Sequence, residues 1–266
     1  MENDSEATMI DLNRAAQVIS DCWQDGTVID SLGADSPTTP ADGYAVQALL
    51  AQLRNETVVG WKIAATAEAG RQHINVDRPL AGRLYESIVF GNGARVALGA
   101  NRMGVAEAEI VLMLGRDLPP QDSPYDEEQV AGAIASVHPG LELPDSRFSD
   151  FTRVGAACLI ADNACARQFV IGDAAAGPVD LASLADHRTA LFINGQQATS
   201  GQGSDALGGP LTALAWIANT LSELGLTLRA GQFVTTGVTG LPSPVLCGDT
   251  VRADLGSLGS VTATLE

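Results

Sequence analysis

From residue 57 onward the sequence breaks into short β-rich runs separated by Gly, Asn and Asp, and helical spacing becomes rare. The runs are 58–63, 84–90, 106–114, 169–171 and 232–236. Parallel neighbours in a doubly wound sheet need a long, usually helical crossover between strands, and most of these runs have none. The expected class is therefore α+β, with a mixed, strongly curved β-fold and flanking helices over 57–266. Asn194-Gly195 after Leu191-Phe192-Ile193 signals a two-residue hairpin, because both turn positions need φ > 0. A closing hairpin is expected from 251–255 and 260–265 around Gly256-Ser257-Leu258-Gly259. Two helices are expected within this region. One, over 126–136, opens on acidic residues that suit the helix dipole; the other, over 210–224, carries Leu211, Leu214, Ala215, Ala218 and Leu221 on one face.

Residues 1–56 read differently. Over 9–24, Ile10, Leu12, Ala15, Ala16, Val18, Ile19 and Cys22 recur mostly at steps of three and four, which predicts an amphipathic helix ending at Gly26. After a Ser/Thr/Pro-rich linker, Thr39 as N-cap and Pro40 in the first turn start a second helix through Tyr44, Val46, Leu49, Leu50 and Leu53. The division is thus an N-terminal helical region, 1–56, and a β-rich region, 57–266. With 266 residues, 45% of them hydrophobic, the chain can bury one sizeable core. Its formal net charge of -17 argues against nucleic acid or an anionic membrane as partner. No apolar run approaches the roughly 18–20 residues of a membrane span, and Met1-Glu2-Asn3-Asp4-Ser5-Glu6 is the reverse of a basic signal, so a cytoplasmic location is expected. Cys22, Cys158, Cys165 and Cys247 lack zinc-site spacing and read as core thiols.

Lys62, in Val58-Val59-Gly60-Trp61-Lys62-Ile63, is the one lysine of the chain; the other fourteen basic residues are arginines. An ammonium can exchange a proton or act as a compact anchor where a guanidinium stays charged and forked. That pattern marks a candidate site, the alternative being a stem packed on Trp61 with its head in water. The run 105–114 adds a second signal, since Glu107 and Glu109 at i and i+2 of a strand share a face. Glu142, in the apolar run 137–143, supplies a third carboxylate. If the three gather, each like-charge contact near 4 Å costs roughly 4 kcal/mol at an effective dielectric of about 20. A hard divalent cation, Mg²⁺ or Mn²⁺, would offset it.

Gly60-Trp61-Lys62-Ile63, Val76-Asp77-Arg78-Pro79 with Gly82-Arg83-Leu84, Glu107-Ala108-Glu109, Leu141-Glu142-Leu143, Ala161-Asp162-Asn163-Ala164 and Leu207-Gly208-Gly209-Pro210 with Trp216 follow one another along the chain. The set resembles the 2-oxopent-4-enoate (2-keto-4-pentenoate) hydratase group of the fumarylacetoacetate hydrolase superfamily, from about residue 42 to the C-terminus. The resemblance implies a β-roll like the C-terminal domain of that superfamily, a divalent metal on Glu107, Glu109 and Glu142, Lys62 as the active-site lysine, and a homo-oligomer. It also implies a lyase that adds water to a small 2-hydroxydienoate or 2-oxo-alkenoate from aromatic-compound degradation, through a metal-stabilised enolate. Decarboxylation or C–C hydrolysis of a related 2-oxo acid is the nearest alternative. A non-catalytic metal-binding or assembly module is the other, motivated by Leu80, which stands where these hydratases commonly carry an acid/base aspartate. With that aspartate missing, His73 is expected to move protons and Glu86 is the reserve candidate. Arg71 and Arg78 are candidates for a substrate carboxylate, and Asn163 for a polar contact to the substrate.

Overall fold

A computed structural model describes residues 10–266; Met9, where the leading helix was expected to begin, and the acidic start 1–6 lie outside them. Helix α1 (Leu12–Asp25) starts where the Asp11 side chain accepts from the Arg14 N–H and ends at Gly26 in the left-handed region. Helix α2 (Pro40–Arg54) starts on a reciprocal Thr39–Asp42 capping box with Pro at its first turn. The roll follows as β1 (Val58–Ala64), α3 (Glu68–His73), β2 (Leu80–Tyr85), β3 (Val89–Gly91), β4 (Ala94–Val96), β5 (Val105–Leu114), α4 (Glu127–Ala131) and β6 (Ile134–Leu143). It continues with α5 (Gly155–Ala161), β7 (Gln168–Ile171), β8 (Arg188–Ile193), β9 (Gln196–Gln202), α6 (Pro210–Glu223), β10 (Phe233–Val238), β11 (Ser243–Pro244), β12 (Thr250–Asp254) and β13 (Ser260–Leu265).

Two expected elements differ. The run 84–90 is split by a 3₁₀ turn at Glu86–Ile88. The helix expected over 126–136 is confined to Glu127–Ala131, because Ile134 and Ser136 pair with Leu114 and Met113 of β5, and the sheet outweighs local helical preference. Both hairpins are present: β8–β9 turns at Asn194 and Gly195, both with positive φ, and β12 pairs antiparallel with β13. Cys22, Cys158 and Cys165 are buried, but Cys247 is exposed in the loop after β11.

The larger sheet runs β2-β1-β10-β5-β6-β7-β3, with β11 pairing the start of β5. It is mixed, since β1 lies parallel to β10 and β3 parallel to β7. The smaller sheet runs β4-β13-β12-β8-β9. Strand β5 shows how the core is arranged. Ala106, Ala108, Ile110, Leu112 and Leu114 enter the main core with α6 and the smaller sheet. The opposite face carries Glu107 and Glu109, then Val111 and Met113, which pack with Leu84, Phe169 and Phe233. Helices α1 and α2 pack on Phe148, Cys158 and Ala161 of the roll.

Strand β2 is an outer strand whose free backbone groups are met by side chains. The Ala81 N–H donates to Tyr44 Oη, and Gln47 Nε2 donates to the Ala81 carbonyl. Asn163 accepts from the Arg83 N–H at 2.7 Å and donates to the Arg83 carbonyl at 2.8 Å. An edge satisfied in this way is closed to strand addition.

Candidate active site

Strand register assembles the site. Glu107 on β5 pairs directly with Glu142 on β6, and Glu109 lies two residues further along the same face. On β1, Lys62 pairs with Gly82 of β2 on one side and Thr235 of β10 on the other. One ligand oxygen from each of Glu107, Glu109 and Glu142 falls within 4.8 Å of the others. Glu109 and Glu142 are each 1% exposed and Lys62 is 3% exposed, whereas Glu107 keeps partial access to solvent.

Lys62 Nζ lies 3.0 Å from Glu142 Oε1 as an ion pair and donates to the Ala164 carbonyl at 3.2 Å. That carbonyl is presented by an unusual turn. Asn163, Ala164 and Cys165 all have φ between 50° and 62° in sequence, a left-handed path costing roughly 1–2 kcal/mol per non-glycine residue. The Asn163 bonds to Arg83 hold one end of it. Just upstream, buried Asp162 accepts from Trp23 Nε1 at 2.8 Å, Ser146 Oγ at 2.6 Å and the Arg147 N–H at 2.8 Å. Gly82 makes room: a Cβ there would lie 2.4 Å from the Asn163 carbonyl oxygen and 3.1 Å from Lys62 Cγ.

The electrostatics follow from this crowding. Burial alone would lower the Lys62 pKa, but the carboxylates of Glu142, Glu107 and Glu109 outweigh it and leave the ammonium more firmly protonated than usual. Burial, followed by repulsion from Glu142, pushes Glu107 up to about 7. Glu109 is raised well above the ordinary carboxylate range by burial, then by Glu142 and Glu107. Cys165, beside the lysine, is pushed up to about 12 by burial and is a thiol at neutral pH.

Three carboxylates and one ammonium leave a formal charge of -2 in a buried site. Glu109 Oε1 and Glu142 Oε2 are buried without a partner, and Glu142 Oε1 has only the Lys62 ammonium, although protein groups so placed are nearly always satisfied. All the donor atoms are hard oxygens. The site therefore fits a divalent cation of the Mg²⁺ class in both charge and ligand type.

Of the remaining sequence candidates only Asn163 adjoins the cluster, and none of them makes a hydrogen bond or ion pair with Lys62, Glu107, Glu109 or Glu142. His73 is exposed at the end of α3, its ring edge-on to Phe151 at 6.1 Å. Glu86 is exposed in the 3₁₀ turn past the far end of β2. Arg78 is exposed and paired with its neighbour Asp77. Arg71 donates to the Ala65 and Thr66 carbonyls and so pins the turn after β1. Asn163 uses one N–H and one lone pair of its amide on the backbone of β2. Leu80 is 1% exposed, in an apolar cluster with Leu159, Ile160, Ala164 and Cys165. The Ala164 carbonyl escaped the sequence reading because any residue type offers one; the nearby Asp162-Asn163 pair was the available hint.

Comparison with known proteins gives the family. Residues 61–266 match the family described as Fumarylacetoacetate (FAA) hydrolase C-terminal. The chain is 33% identical over 256 residues to a 2-keto-4-pentenoate hydratase of Paraburkholderia xenovorans, covering 95% of this chain and 94% of the relative. It is 35% identical over 233 residues to a 2-hydroxyhexa-2,4-dienoate hydratase of Comamonas testosteroni, covering 86% of each. Among solved structures, 4-oxalocrotonate decarboxylase from Pseudomonas putida G7, complexed with magnesium and adipate, superposes with a TM-score of 0.86 at 28% identity over 96% of this chain and 97% of the other. With its curled mixed sheet and its gathered carboxylates, this chain belongs to the fumarylacetoacetate hydrolase family as an enzyme of the 2-keto-4-pentenoate hydratase type.

Proposed function

We propose that the protein is a divalent-metal-dependent hydratase acting on a small 2-hydroxydienoate or 2-oxo-alkenoate of the kind formed in aromatic-compound degradation. The observation that carries this reading is the gathering of three carboxylates beside a single charged lysine, with Glu109 Oε1 and Glu142 Oε2 buried and unpartnered. Glu107, Glu109 and Glu142 would hold the cation, with Mg²⁺ favoured by the magnesium complex of the decarboxylase neighbour. When bound, it supplies Lewis-acid stabilisation of negative charge on the substrate.

The chain's own residues do the rest. Lys62 has three N–H groups; one donates to Ala164 and another lies toward Glu142, which leaves one for the substrate C2 oxygen. A firmly protonated ammonium fixed from two sides stabilises charge developing there without reorganising. The same raised pKa makes it a poor general base, so its role is electrostatic and donor-like. The apolar wall at Leu80 excludes water from that side of the lysine.

Decarboxylation of a related 2-oxo acid is a second reading, favoured by the fit to 4-oxalocrotonate decarboxylase. It uses the same charge stabilisation at the C2 oxygen. Product analysis separates the two: 2-hydroxypenta-2,4-dienoate with Mg²⁺ should yield the 4-hydroxy-2-oxo acid, and turnover should stop in chelator. Release of CO₂ from 4-oxalocrotonate without hydration of the dienoate would install the second reading, and full activity in chelator would remove both.

A further inference from the structure

We propose that Thr235 is a positioning residue for Glu109, its hydroxyl holding the carboxylate oxygen that the backbone leaves free and thereby aiming the ligand at the cation. The inference rests on the metal reading above. Thr235 is completely buried on β10, registered with Lys62 on one neighbour and Val111 on the other, two residues from Glu109 along β5. It shares the face on which Lys62, Glu107, Glu109 and Glu142 converge.

Glu109 is already held on one side. A bulge between Thr235 and Val238 turns the Gly237 N–H to Glu109 Oε2 at 2.9 Å. Gly237 has φ +103°, and Thr66 fills the space where a Cβ would sit, 2.3 Å from Thr66 Oγ, so the bulge is locked and requires glycine. Glu109 Oε1 remains, buried and unpartnered. Thr235 Oγ is also buried and in no hydrogen bond. As diagonal cross-strand neighbours on one face, the hydroxyl and the long glutamate side chain lie within reach of each other.

The neighbouring threonines differ. Thr236 Oγ donates to the Ile110 carbonyl at 3.0 Å and Thr239 Oγ to the Ala108 carbonyl at 2.8 Å. These two are spent on the backbone of β5, and Thr235 alone of the three keeps a donor for the site. Partners that orient metal-binding side chains are typically worth 10–100-fold in metal affinity.

The test is calorimetric titration of the chelator-treated full chain with Mn²⁺, comparing wild type with Thr235→Val, Thr235→Ala and Thr235→Ser, each checked for folding by circular dichroism. The inference expects Val and Ala both to weaken Mn²⁺ by about 10–100-fold while Ser stays within about threefold of wild type. A purely space-filling role would instead leave Val unchanged and impair Ala and Ser, and that pattern overturns it. If Thr235→Val does not fold, the contrast between Ala and Ser decides: equal Mn²⁺ affinity in those two overturns the inference. Wild type that fails to bind Mn²⁺ at millimolar concentration would overturn the metal reading itself, which the variants alone cannot do.

Discussion

Glu107 and Glu142 stand directly opposite one another across β5 and β6, like charges at a position where cross-strand partners normally attract. Lys62, 3.0 Å from Glu142, offsets only part of the repulsion. The apo site is therefore poised for a cation, and its charge balance governs how the protein responds to pH and substitution.

In chelator, stability should fall as pH rises from about 4.5 to about 7. The folded Glu107 carboxyl titrates near 7 against 4.5 for the ordinary group, so across that interval the folded state binds more protons than the unfolded one, and stability declines with pH. The cation competes with the same protons, so the gain in Tm on adding Mg²⁺ should grow from pH 5 to pH 8. Thermal melts of wild type and Glu107→Gln with and without Mg²⁺ check this; equal pH slopes for the two proteins in chelator would contradict it.

The two opposed glutamates should not be equivalent. Glu142→Gln removes the partner of a buried ammonium, a change that can cost about 3–5 kcal/mol. Glu107→Gln removes one of two repelling charges and leaves the Lys62–Glu142 pair intact, so it should cost far less or stabilise the apo protein. Both should weaken metal binding. Chemical denaturation in chelator gives the order, and a Glu107 variant less stable than the Glu142 variant would be inconsistent with this charge arrangement.

Lys62→Arg should lose nearly as much activity as Lys62→Ala, on the order of 100-fold or more, as for loss of a charge-stabilising donor. The stem runs over Gly82 and the head is fixed between Glu142 and the Ala164 carbonyl, contacts that suit a compact ammonium and that a longer, planar guanidinium would displace. Steady-state turnover of the arginine variant is the measurement; retention of most activity would reduce Lys62 to a structural cation.

Gly82→Ala should destabilise by about 1–3 kcal/mol, as overpacking does. Its Cβ would meet the Asn163 carbonyl oxygen at 2.4 Å, and because that atom is backbone the left-handed turn must move, taking the Ala164 carbonyl away from Lys62. Melting temperature and turnover should fall together. A variant with wild-type values for both would show that this turn does not position the lysine.

Several features of the protein were legible in the chain itself because they depend on short spacings. The Asn194-Gly195 turn, the α2 capping box and the alternation that puts Glu107 and Glu109 on one face of β5 are local consequences of residue type and strand or helix period. Lys62 stood out by being alone of its kind, and the motif order carried the family. Tertiary structure decided the rest. No local rule sets the pairing of Glu142 with Glu107, because register between distant strands comes from burial of their apolar faces. His73, attractive for its nearness to the Lys62 strand, Glu86, the reserve acid/base, and Arg78, a candidate for carboxylate pairing, all stand at the surface, and exposure is set by the tertiary packing. Asn163 also closes a strand edge, which its sequence context did not show, while the Ala164 carbonyl and the Thr235 hydroxyl became part of the site only once five strands were brought together. A carbonyl has no sequence signature, and a threonine inside a strand is indistinguishable from its neighbours until packing shows which hydroxyl is left without a partner.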